Sequence, residues 1–178
     1  MRRRRNARKC LVIDASVARA AGGIEATHQV SKACRRFLDG ILKICHSALM
    51  SKSLREEWDK HQSTYARRWR VQMISRKKLI ITEDEIDLNL RSRVASGITR
   101  RRDHQEIEKD FHLVEACLAA DMIIASLDEA MRLLLHGCCE KVSELRSVIW
   151  VNPAQDSELV LEWLREGANP EPSRQLGT

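Results

Sequence analysis

Four acids stand where this sequence would otherwise place an apolar residue or a plain turn. Asp14 closes the apolar run Cys10-Leu-Val-Ile. Glu57 falls on the apolar stripe of a helical stretch that carries Leu54, Trp58 and His61 on the same face. Asp110 heads a second stripe, through Leu113, Val114, Cys117 and Leu118, and Asp128 follows 18 residues later, just past Met122-Ile-Ile-Ala-Ser126. A charge on a buried face is costly unless something pairs with it, and a metal ion is one such partner. Four crowded carboxylates cannot all stay ionised without cations between them. Hard oxygen donors suit Mg²⁺ or Mn²⁺, and a metal so held can activate water and steady the charge of phosphodiester cleavage. A plainer reading stands beside this for Asp110, that it opens a helix where the dipole favours an acid.

The elements that must position these acids follow from the hydropathy pattern. Strands are expected near 10–14, 46–50, 122–126 and 148–151, each a short apolar run of the kind buried on both faces of a parallel sheet. Helical stripes separate them: about Ile24 to Cys45, the stretch from Leu54, the stretch from Asp110, Glu129 to Leu135, and Asp156 to Glu166 with Leu159, Val160 and Trp163 inward. Strand–helix alternation predicts an α/β fold of three α/β/α layers around a central parallel sheet of about four to five strands. Asp14 and Asp128 then lie at the carboxyl ends of strands, where open α/β sheets place their ligands. Ser16 is placed either to cap the following helix or to hold a carboxylate.

With 178 residues, 43% apolar and 31% charged, the chain suits one soluble globular domain. No apolar run reaches the length of a membrane span, and the arginines at the amino terminus are followed by too short an apolar stretch for a signal peptide. A cytoplasmic protein is expected. The six cysteines lack CxxC pairing, which favours reduced, buried thiols over a disulfide framework or zinc site. The formal charge of +6 is matched by the five Arg and one Lys of residues 1–9, so the remainder sums to zero. Residues 1–9 are read as a basic disordered arm, 10–166 as the domain, 62–103 as a helical insert and 167–178 as a frayed tail. Arg67, Arg68 and Arg70 in the insert, and a loop of Arg100, Arg101 and Arg102, are candidates for gripping RNA phosphates or else a solvated basic face.

The pieces VIDAS (12–16), SLREEW (53–58), the helix from Asp110 and ASLD (125–128) together resemble the PIN-domain nucleases, over roughly residues 10 to 153. The resemblance implies a divalent-metal-dependent endoribonuclease with Asp14, Glu57, Asp110 and Asp128 as its acidic quartet. It implies Ser16 and Ser126 as supporting hydroxyls, and Asp121 stands as a fifth acid near the site. Many small members are VapC-type toxins, so it also implies a toxin-like or defence effector, RNA as substrate, a cognate antitoxin and a homodimer. The insert, the basic arm and the cysteine-bearing helices depart from a minimal toxin of that type. The competing reading is a non-catalytic RNA-binding or scaffold protein on the same fold. A phosphatase is disfavoured because Ser16 stands where a second Asp belongs, and a nucleotide-binding fold because neither GxGxxG nor a P-loop follows a strand.

Overall fold

The computed structural model describes residues 8–155 and 157–178. Its centre is one sheet of five parallel strands: β1 (Cys10–Ile13), β2 (Ser47–Met50), β3 (Leu79–Ile81), β4 (Ile123–Ala125) and β5 (Ile149–Val151). The helices are α1 (Ala15–Ala20), α2 (Gln29–Lys43), α3 (Lys52–His61), α4 (Thr64–Ser75), α5 (Leu88–Ser96), α6 (Arg101–Leu118), α7 (Glu129–Cys138) and α8 (Ser157–Arg165). They cover both faces, giving the expected three-layer α/β/α architecture. Leu11, Val12 and Ile13 are buried, as are Ile123, Ile124 and Ala125, because a central parallel strand has no wet face. Helix α6 packs on β1 and β4, while α2 packs against α4 and α8. The last of these contacts is close: a Cβ on Gly40 of α2 would come within 2.1 Å of a Leu161 methyl carbon.

The strand order is β3-β2-β1-β4-β5. The chain therefore builds outward from β1 to β3, crosses back, and builds outward again from β4. The switch lies between β1 and β4, where the connections leaving the two strands diverge and leave a crevice at their carboxyl ends.

Several expectations are corrected. The 62–103 insert is not purely helical, since β3 pairs with β2 in register Leu49↔Ile80 and forms the sheet's edge. The 167–178 segment is not frayed: the Leu176 amide donates to the Val148 carbonyl, and its side chain is buried. Residues 1–7 of the basic arm lie outside the described residues. Lys9 is already fixed, because the Ser47 amide donates to its carbonyl at 2.8 Å and its own amide donates to His46 Nδ1 at 3.0 Å. Leu159 is exposed and Leu161 takes its inward place in α8. The cysteines are free thiols: Cys34, Cys117, Cys138 and Cys139 are buried, and Cys45 is exposed.

Candidate active site

Asp14 is the first residue past β1. Its amide donates to the Ala125 carbonyl at 2.9 Å, which stitches it to the end of β4. Its Oδ2 accepts from both Ser16 Oγ and Ser126 Oγ, the latter at 2.6 Å. The serines work in relay: Ser16 Oγ accepts from the Leu127 amide at 3.2 Å, and Ser126 Oγ accepts from the Asp128 amide at 3.0 Å. The turn after β4 is thus folded around one carboxylate oxygen of a buried acid. Oδ1 of Asp14 has no protein donor among the described residues.

Asp128 caps α7, with Oδ1 accepting from the Met131 amide at 2.9 Å. Glu57 reaches the same place from α3. Leu54 and Trp58 bury the helix, and Trp58 Nε1 donates to the Ile13 carbonyl at 2.9 Å, so α3 is pinned beside the end of β1. That register turns Glu57 inward and leaves Glu56 exposed, as the stripe predicts. His61, on the same stripe, is exposed at the rim.

Asp110 arrives from α6. The helix begins at Arg101, so Asp110 lies in its third turn and the helix-start explanation for this acid falls. It is half-buried, and its carboxyl is pushed up to about 6, first by burial and then by the charges of Glu57 and Asp14, against the pull of Lys109. Asp14, Glu57, Asp110 and Asp128 line one cavity of about 470 Å³, together with Ser16, Arg19, Lys109 and Glu129.

His112 completes the back of the site. It is 8% exposed, and its Nε2 lies 3.3 Å from Glu57 Oε2, an ion-pair separation whose direction falls outside hydrogen-bond geometry. Burial lowers its basicity, but the carboxylates of Glu57, Asp110 and Asp14 outweigh burial and raise it on balance. His112 also lines a small cavity of about 70 Å³ with Ser51 and Asp84. Sequence reasoning passed over His112, Arg19, Lys109 and Glu129. The one signal for His112 was its place two residues after Asp110, which in a helix does not share a face with it.

Two expectations fail here. Asp121 is not near the acids: its Oδ2 accepts from the Cys10 amide at 2.7 Å and Oδ1 is 3.7 Å from Lys9 Nζ, at the amino end of β1. It precedes β4 whereas Asp128 follows it, so the length of the strand separates them. Arg100, Arg101 and Arg102 are not a loop: Arg100 is the N-cap of α6 and the other two are its first turn. Arg100 and Arg102 line an open groove of about 610 Å³ that reaches Asp128. Of the α4 cations, Arg70 is paired with Asp59 at 2.6 Å, while Arg67 and Arg68 are exposed and none of the three lines the acidic cavity.

The donor set suits a hard divalent cation. Asp110 accepts no hydrogen bond among the described residues, and Asp14 Oδ1 and Asp128 Oδ2 are likewise free. As the side chains stand, no three His, Cys, Asp or Glu residues among those described are close enough together to hold an ion. The cavity nonetheless gathers like charges, which add to the larger effect of burial in raising the Asp110 carboxyl, and a cation would offset both. Fold and site together define a parallel α/β/α protein with an acidic cavity at its topological switch point. No protein-family model matches the chain, and no curated protein matches it in sequence. Among the described residues no helix is long and apolar enough to cross a membrane.

Proposed function

We propose that this protein is a divalent-metal-dependent endoribonuclease cleaving RNA phosphodiester bonds. One observation carries the reading: four carboxylates from four separate elements converge on one cavity beside the switch point, with oxygens left unpartnered. Asp14, Glu57, Asp110 and Asp128 would hold Mg²⁺ or Mn²⁺, which supplies an activated water and charge stabilisation at the phosphorus. The chain's own residues do the rest. Ser16 and Ser126 fix Asp14 through Oδ2, which leaves its Oδ1 without a donor among the described residues. His112 stands against Glu57 from behind. Lys109 and Arg19 supply positive charge at the cavity wall, where a bound phosphate would sit.

The groove bearing Arg100 and Arg102 leads away from Asp128 and suits an RNA strand entering or leaving the site. Neutralising Arg100 and Arg102 is expected to flatten the salt dependence of RNA binding by up to about one slope unit per lost phosphate contact. The same change at Arg67 and Arg68 should leave the slope closer to that of the wild type. A cytoplasmic, toxin-like or defence effector, restrained by a cognate antitoxin or another small regulatory protein, is the setting that the PIN-domain resemblance suggests.

The test is cleavage of a labelled single-stranded RNA by purified protein with Mn²⁺ or Mg²⁺, against an Asp14→Asn control. Metal-dependent cleavage lost in the variant supports the reading. Tight RNA binding by the wild type with no cleavage in either metal would favour the non-catalytic RNA-binding or scaffold protein.

A further inference from the structure

At the far side of the sheet from β5, the edge strand β3 has no strand partner on its outer side among the described residues. Lys78 accepts through its carbonyl from the Ala48 amide, and the Thr82 amide donates to the Met50 carbonyl. The even-numbered residues of this strand therefore face β2. By the alternation of a strand, Leu79 and Ile81 turn their amides and carbonyls outward. Exposed edges are ordinarily blunted by brevity, charge or proline; β3 is brief, at three residues, but carries no charge or proline. Here the middle of the edge is Ile80 and Ile81, 44% and 50% exposed. Adjacent residues point to opposite faces, so both faces of the edge are apolar.

The flanks carry opposite charge. Arg76 and Lys77 precede the strand and Glu83 and Glu85 follow it, all exposed. Lys78 is not part of this array, because its ammonium is buried against the carbonyls of Ile41, Leu42 and Ile44. Asp84 is likewise occupied, by the amide and hydroxyl of Ser53. Lys77, Glu83 and Glu85 form no ion pair within the described chain.

We infer that β3 is a self-pairing edge, and that its occupant is β3 of a second copy of this chain, running antiparallel about a two-fold axis at Ile80. The charges select this occupant and direction. A parallel copy would set cation against cation and acid against acid, whereas an antiparallel copy sets each basic end against the other's acidic end. The outward groups select the register: Leu79 exchanges hydrogen bonds with Ile81 of the partner copy, about four bonds in all. Ile80 then faces its own counterpart across the axis, and the basic turn of Arg76 and Lys77 lies at the end where the other copy carries its acids. The joined sheets become continuous. β3 is two strands away from β1, so both acidic cavities stay open. This inference is independent of the nuclease reading.

Sedimentation equilibrium of the full chain across protein concentration tests it, with circular dichroism to check the fold. The wild type should dimerise, more weakly at high salt. Ile80→Lys should raise the dissociation constant at least about tenfold, and so should Ile81→Pro, which removes only an outward amide. Lys77→Glu and Glu83→Lys should each weaken self-association alone, because each copy then meets a like charge. Mixed together they should form a heterodimer in which both pairs are again complementary. A wild type that stays monomeric at every concentration overturns the inference. So does a dimer indifferent to Ile80→Lys and Ile81→Pro, or a mixture that associates no better than its components.

Discussion

Helix α6 carries two inward-facing acids five residues apart, and they are treated in opposite ways. Glu115 is 5% exposed and fully engaged: Arg91 grips it bidentately, through Nε to Oε1 at 2.8 Å and Nη2 to Oε2 at 2.6 Å, and the Asp87 amide adds a third bond at 2.9 Å. The Arg91 guanidinium is raised in turn, chiefly by its hydrogen bonds to Glu115 with help from Glu108, and it also stacks over Phe111. Asp110 has no such partner. Burial first, then the charges of Glu57 and Asp14, raise its carboxyl to about 6 against the opposing charges of Lys109 and His112, neither of which bonds to it. A buried acid that serves the fold is given its counter-charge by the fold. One left among like charges is held at a cost to stability, which is the pattern of a site awaiting a ligand.

The largest expected difference lies in activity. Glu57→Gln should lower metal-dependent RNA cleavage by about a hundredfold or more, since it removes a proposed metal ligand. Glu56→Gln, on the exposed side of the same helix, should change it little. Equal losses in a steady-state cleavage assay would break the assignment of the inward acid.

Stability should divide the two acids of α6 the other way. Glu115→Ala leaves Arg91 without its buried partner and loosens α5 from α6, and is expected to cost about 3 kcal/mol in urea unfolding. Asp110→Asn should stabilise the metal-free protein by roughly 1–2 kcal/mol above neutral pH. The sign follows from the shift: a carboxyl raised from 3.8 to about 6 holds its proton more tightly when folded. Its ionisation therefore costs stability that builds as pH rises from about 4 to about 6 and persists above. The gain of the variant should vanish below about pH 4, where both forms are neutral. A destabilised Asp110→Asn protein at pH 8, in the presence of chelator, would mean that this acid is structural after all.

Much of the fold and of the acidic site was legible in the sequence, but only where the pattern was local, and the Glu115–Arg91 pair was not. β1, β2, β4 and β5 are apolar runs and announce themselves. β3 is three residues long, more than half of it exposed, and sits between a basic and an acidic cluster, so no periodicity marks it. Glu57 was readable because Leu54 and Trp58 fix the helix face by themselves. Asp110 was readable as an acid on an apolar face, although the helix runs back to Arg101 through polar residues that hide its start. Asp121 was misplaced although the chain order told against it: it precedes the strand that Asp128 follows, which sets it at the amino end, away from the acids. His112, Arg19 and Lys109 owe their positions to which elements meet at the switch point. Leu176 is one apolar residue in a polar tail, and its burial depends on the partner it finds beside β5.

The central claim is that the four acids await a divalent cation, and thermal unfolding under Mn²⁺ titration tests it most directly. Binding to the folded state alone stabilises by about 2.7 kcal/mol at a hundred times the dissociation constant. The wild type should therefore gain a saturable rise in Tm, which Asp14→Asn and Asp110→Asn abolish and Glu115→Gln retains. A wild-type Tm that does not move with Mn²⁺ or Mg²⁺, or one that moves equally in Asp14→Asn, would contradict it.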